Sequence, residues 1–92
     1  MPNDAVAQRF AENLSRAREQ AGLTQEALAQ SAEIHRTQIG ELLRGNQLPR
    51  LDTLLKLAGA LNVEPAALLD GLSFEPSDQG QFKVTPTKQP KK

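Results

Sequence analysis

Two short runs of helical spacing, Gln25 to about Ala32 and about Arg36 to Leu43, stand only three residues apart in this chain. Helices of two turns do not persist alone in water, so each must bury its apolar side against the other and against the rest of the chain. So tight a connection, Glu33-Ile34-His35, forces the pair to cross at an angle. A small residue is needed where the backbones approach, and Ala29 supplies it. Ile39 and Leu42 face inward from the second helix of the pair and close over Leu28. What stays outward there is Arg36, Thr37, Gln38, Gly40, Glu41 and Arg44, a set of hydrogen-bonding or small groups with little aliphatic surface.

The flanking segments supply the body on which this pair is propped. A first helix is predicted from about Asp4 to Ala21, with Val6, Phe10, Leu14, Ala17 and Ala21 on one face, Asn3 or Asp4 as cap and Gly22 as the left-handed closing residue. Thr24 can cap the next helix, and Leu23 and Leu28 take the two positions of a hydrophobic staple. The same spacing returns at Ile34 and Ile39 and at Val63 and Leu68, the latter around a fifth helix from Pro65 to about Asp70. Between these lies a fourth helix, about Leu51 to Leu61, with Leu51, Leu54, Leu55, Ala58 and Leu61 as its expected apolar stripe and Asn62 closing it. The reading is all-α, five helices over residues 1–72.

A second stretch, residues 73–92, is polar and rich in Pro, Lys and Gln. Leu72 and Phe74 alternate, as do Phe82 and Val84, which predicts a small hairpin over 72–85 with turn material between, and a disordered basic tail from Pro86. Leu68, Leu69, Leu72, Phe74 and Phe82 either close the monomer core or begin a subunit interface, and the interface is the expectation.

With 92 residues, 38% of them hydrophobic, there is one small core and little room for a substrate pocket. No cysteine means no disulfide and no thiolate site, and the lone His35 has no partner for a histidine metal site. No cofactor is expected, and no enzyme activity, since nothing brings two carboxylates into a cleft. The apolar runs are too short for a membrane span, so a cytoplasmic protein is expected. Net charge is zero, an unusual balance for a nucleic-acid binder. Distribution matters more: between His35 and Arg50 the sole acid is Glu41, against Arg36, Arg44 and Arg50, so one face is expected to be positive.

That face has the chemistry of base recognition. Arg36 can pair with guanine O6 and N7, Thr37 can meet a thymine methyl or a phosphate, Gln38 can bridge adenine N6 and N7, and Glu41 can accept from cytosine N4. Gln25, at a helix N-terminus, can help hold a phosphate, and Arg44 and Arg50 can grip the backbone beside the groove. Gly40 leaves space either for a groove wall or for a close helix contact.

Residues 10–72 resemble the lambda-repressor-like, Cro-type helix-turn-helix domains of the XRE family. The resemblance is carried by Leu23-Thr24-Gln25-Glu26, Leu28-Ala29, Ile34, Ile39, Leu42, Arg44-Gly45, Pro49, Leu51, Thr53 to Ala58, Ala60-Leu61 and Val63. It implies a five-helix fold, a helix-turn-helix at about Thr24 to Leu43, and binding of a palindromic double-stranded operator as a twofold dimer. Phosphate contact at Gln25 and base contact from Arg36, Thr37, Gln38 and Glu41 follow from it. Three residues depart from the family pattern: Glu33 where glycine often makes the left-handed turn, His35 in place of a Ser or Thr cap, and Leu43 in place of a charged residue. A sequence-specific regulator, and more often a repressor, is the function implied. The competing reading is an antitoxin or interaction module whose residues 73–92 cover a partner protein such as a toxin.

Overall fold

The computed structural model describes residues 4–76 and 81–84. Its order is α1 (Asp4–Ala21), α2 (Gln25–Ala32), α3 (Arg36–Leu43), α4 (Leu51–Leu61), a 3₁₀ helix (Pro65–Leu69), β1 (Leu72–Glu75) and β2 (Gln81–Val84). The all-helical class is borne out, with one correction: the fifth helix is a single 3₁₀ piece. Its five residues give too few i to i−4 bonds to settle into α geometry, and Ala67 N–H instead donates to the Glu64 carbonyl three residues back at 2.9 Å.

The four α-helices close in the same manner. Gly22, Glu33, Gly45 and Asn62 each have φ between 58° and 77°, and the two N–H groups at each turn return to carbonyls of the helix just ended. At α2, Ile34 N–H reaches the Ala29 carbonyl at 2.9 Å while Glu33 N–H reaches that of Gln30 at 3.2 Å, the paired bonds of a Schellman ending. Glu33 adopts the left-handed conformation despite its Cβ, at φ 58° and ψ 46°, a strain of about 1–2 kcal/mol that surrounding structure must offset. At Gly45 the positive φ disfavours a side chain, and a Cβ there would in addition require the exposed amide of Gln8 on α1, 2.5 Å away, to move aside.

The core gathers Phe10 and Leu14 of α1, Leu28 of α2, Ile39 and Leu42 of α3, Leu57 of α4 and Leu68, all essentially sealed from solvent. Leu23, Ile34 and Val63 are half-buried against this cluster, to which their expected staple partners Leu28, Ile39 and Leu68 belong. Leu68 thus belongs to the monomer core and has no surface left to give to a subunit interface. Leu69, Phe74 and Phe82 stay exposed, and Leu72 is half-buried.

The stripe of α4 is displaced from the expected one. Thr53, Leu54, Leu57, Ala58 and Leu61 are buried, whereas Leu51 and Leu55 are 72% and 52% exposed. On α1 the buried face is Ala7, Phe10, Ala11 and Leu14 with Arg9 and Asn13, while Val6 is half-buried and Ala21 lies out. Asn13 ties the two ends of the domain together. Its Nδ2 donates to the carbonyls of Leu68 at 3.0 Å and Asp70 at 2.9 Å, fastening the end of the 3₁₀ helix to α1.

The two strands pair antiparallel with Leu72 opposite Val84 and Phe74 opposite Phe82. Those four side chains share one face by the period of two. The two phenylalanine rings meet edge to face at 5.0 Å between centroids. Of the turn expected over Pro76 to Gly80 only Pro76 is described; residues 77–80, Thr85, the tail from Pro86 and Asn3 lie outside the described residues. Among the described residues no helix is long and apolar enough to cross a membrane.

Candidate nucleic-acid interface

The exposed edge of α3 is set by what locks its other side. With Ile39 and Leu42 driven into the core, Arg36 and Thr37 in the first turn of α3 are exposed, and Gln38 and Glu41 are half-buried. The entrance to α3 is held by His35, whose Nδ1 accepts from Thr37 N–H at 3.3 Å, so an imidazole does the capping that a Ser or Thr hydroxyl usually does. At α2, Thr24 Oγ1 accepts from Ala27 N–H at 3.0 Å, which leaves Gln25 exposed at the first helical position.

Arg36, Thr37, Gln38, Glu41 and Arg44 fall on the margin and exposed side of one helix, and Gln25 lies exposed at the start of the helix that α3 packs on. Arg50 follows in the connection to α4 and is the most exposed of the three arginines, with a side chain 83% accessible. Gly40, expected to face out, is buried. The nearest atoms a Cβ there would meet are those of the Arg44 guanidinium, at 3.2 to 3.6 Å. Its missing side chain makes a bed for Arg44, which lies back along α3 and bonds Glu41 at 2.7 Å.

The electrostatics differ from the sequence expectation. Glu26 of α2 pairs with Arg36, Glu41 with Arg44, and Asp52 of α4 lies 3.6 Å from Arg50, so each arginine has a carboxylate beside it. Two of those acids come from neighbouring elements, which is why a count taken between His35 and Arg50 misses them. Glu41 is the most engaged: the hydrogen bond from Arg44 and a second from Asn46 Nδ2 at 3.1 Å hold its carboxyl below the usual glutamate range. Its availability to a base is therefore tied to where Arg44 goes.

Arg18 is a positioning residue that hydrophobic periodicity does not single out. Its Nη1 donates to the Leu23 carbonyl at 2.7 Å and so braces the turn from α1 into α2. The sequence does carry a signal for it, since a basic side chain in the last turn of a helix is well placed to meet terminal carbonyls. No group of three or more His, Cys, Asp or Glu able to hold a metal occurs among the described residues.

Comparison with known proteins gives a consistent result. The control protein C.BamHI of Bacillus amyloliquefaciens is 40% identical over 50 residues, covering 54% of this chain and 62% of that protein. The chain thus spans less than two thirds of that relative's length. The crystal structure of the restriction-modification controller protein C.AhdI from Aeromonas hydrophila superposes with a TM-score of 0.66 at 37% identity, over 67% of this chain and 94% of the other. A hypothetical transcription factor from Neisseria, NHTF, gives 0.66 at 30% identity over 70% and 74% of the two chains. The model of the helix-turn-helix family matches residues 14–68, which contain α2, the turn at Glu33 and all of α3, and the chain belongs to that family.

Proposed function

We propose that this chain is a sequence-specific transcriptional regulator that binds a palindromic double-stranded DNA operator as a homodimer and represses from it. The observation that carries the reading is the edge of α3, where Arg36 and Thr37 are presented to solvent by a helix whose opposite side is sealed at Ile39 and Leu42. Base contact falls to Arg36, Thr37, Gln38 and Glu41, and backbone contact to Gln25, Arg44 and Arg50. The carboxylate beside each arginine does not oppose this. Exposed ion pairs contribute about 0–1 kcal/mol, so exchanging a surface glutamate for a phosphate or a guanine edge costs little. Similarity to two controller proteins supports the regulator reading over an enzymatic one.

One helix reads one half-site. Twofold pairing spaces two such helices about one DNA turn, roughly 34 Å, apart, and this is why a palindrome and a dimer go together. The test is retention of sheared genomic DNA by the tagged full chain, with sequencing of what is held. A single enriched palindromic motif, lost in Arg36→Ala and Gln38→Ala variants that keep wild-type circular dichroism, is the expected result. Retention of no fragment, with a small protein co-purifying instead, would replace the proposal by the partner-binding reading.

A further inference from the structure

Leu51 and Leu55 are the structure's unexplained apolar residues. They lie one turn apart on α4 and continue the exposure of Leu48 in the preceding loop. The opposite side of α4 is fully used, against α1, α2 and the 3₁₀ helix. Gly59, one further turn along the same row, is exposed, and an added Cβ would meet nothing within 4 Å. A helix-interior glycine weakens the helix relative to alanine, and no contact within the chain accounts for this one.

Beside this row runs a second, Asp52 and Lys56, also one turn apart and exposed. Lys56 has no ion-pair partner among the described residues, while Asp52 lies 3.6 Å from Arg50 and accepts from Thr53 N–H at 2.8 Å. A stripe of two leucines flanked by an acid and a base in sequence order is complementary to itself when reversed. Across a twofold axis near the height of Thr53 and Leu54, an antiparallel copy of α4 sets Leu51 against Leu55 of the second copy and Asp52 against its Lys56, and the reverse on the other side. A parallel twofold copy would place the two charged rows on opposite flanks of the contact, where they could not pair.

We infer that this face of α4 is the contact between two copies of the chain. The inference rests on the dimer in the function proposed above and names where that dimer is made. On the other exposed apolar patch, the hairpin, Phe74 and Phe82 already pack on one another. Leu48, Leu51, Leu55 and the two charged rows make a small contact beside the roughly 800 Å² per partner of a standard interface. The dimer is accordingly one that dissociates on dilution.

Sedimentation equilibrium of the full chain over a range of concentrations tests this. The wild type is expected to dimerise reversibly, and Leu51→Ser with Leu55→Ser to raise the dissociation constant about 100-fold or more with circular dichroism unchanged, since both side chains are exposed. Asp52→Lys and Lys56→Asp are each expected to weaken association, and an equimolar mixture of the two single variants to associate more tightly than either alone. In the mixture one chain carries lysine at both positions and the other aspartate at both, so only pairing between chains can restore it. A dimeric wild type whose double-serine variant is equally dimeric, or a mixture that gains nothing, overturns the α4 contact while leaving the dimer standing. Loss of the dimer in Phe74→Ser with Phe82→Ser but not in the α4 variant moves the contact to the hairpin. A wild type monomeric at every concentration overturns both this inference and the dimer.

Discussion

Replacing Asn13 by alanine removes one side chain from α1 and is expected to loosen the other end of the chain. Nδ2 of Asn13 is the donor to two carbonyls, Leu68 at 3.0 Å and Asp70 at 2.9 Å, 55 and 57 residues away. Each such bond contributes a net of about 0.5–1.5 kcal/mol, and a buried carbonyl left without a donor costs about 1–3 kcal/mol more. The Leu68 bond is the buried one, and Asn13 itself is 2% exposed, so water cannot easily take the donor's place. Together the loss is about 2–4 kcal/mol, a large share of the 5–15 kcal/mol typical of a small domain. In a domain of this size that corresponds to a fall in melting temperature of roughly 10–25 °C. Urea unfolding followed by far-ultraviolet circular dichroism measures it. Asn13→Asp separates donor from volume: it keeps the shape but at neutral pH points carboxylate oxygens at carbonyl oxygens, and it is expected to be worse than alanine. An alanine variant within about 0.5 kcal/mol of wild type, the range of an ordinary surface change, would show that the clasp holds nothing.

Three further outcomes are expected. Glu33→Gly relieves a left-handed backbone at φ 58° and, after the greater freedom of glycine in the unfolded chain is subtracted, should stabilise by up to about 1 kcal/mol, whereas Glu33→Val should destabilise; thermal denaturation of both decides. Arg9 is 8% exposed with Nη1 buried and unpartnered and only Nε engaged, at 3.3 Å to Glu12, so Arg9→Met should match or exceed wild-type stability; a loss above about 2 kcal/mol would show that the guanidinium is worth more than its geometry indicates. For Glu41, Arg44 and then Asn46 lower the folded pKa, so its stabilising effect is present above the unfolded value of about 4.3 and is lost as pH falls through the folded one. In Arg44→Ala the Glu41 carboxyl resonance should titrate at higher pH than in wild type, as read by nuclear magnetic resonance.

Local chemistry is what the sequence displays well here. The ends of the helices are legible because the residues that make them lie within a few positions of one another: Leu23 with Leu28, Ile34 with Ile39, Thr24 ahead of Ala27. The left-handed turn at Glu33 is legible only through the resemblance, which puts a glycine at this position, and not from the residue itself. α4 shows where periodicity runs out. Leu51, Leu54, Leu55, Leu57, Ala58, Ala60 and Leu61 satisfy the helical template on either of two faces, and only the packing of α1 and α2 selects the one centred on Leu57. The acids beside Arg36 and Arg50, and the bed that Gly40 makes for Arg44, depend on elements or rotamers that no linear window contains. Asn13 was hidden for the same reason, its partners being more than fifty residues away.

The bond from Asn13 also bears on where this protein can be cut. The stretch shared with the helix-turn-helix family runs from residue 14 to residue 68, yet Phe10, 1% exposed, sits inside the core, and the clasp on Leu68 comes from residue 13. A fragment trimmed to the shared stretch would open a hole beside Leu28 and Leu57 and strip the far end of its fastening. A piece of this chain that keeps both the core and the clasp is expected to reach back at least to the turn of α1 that carries Ala7.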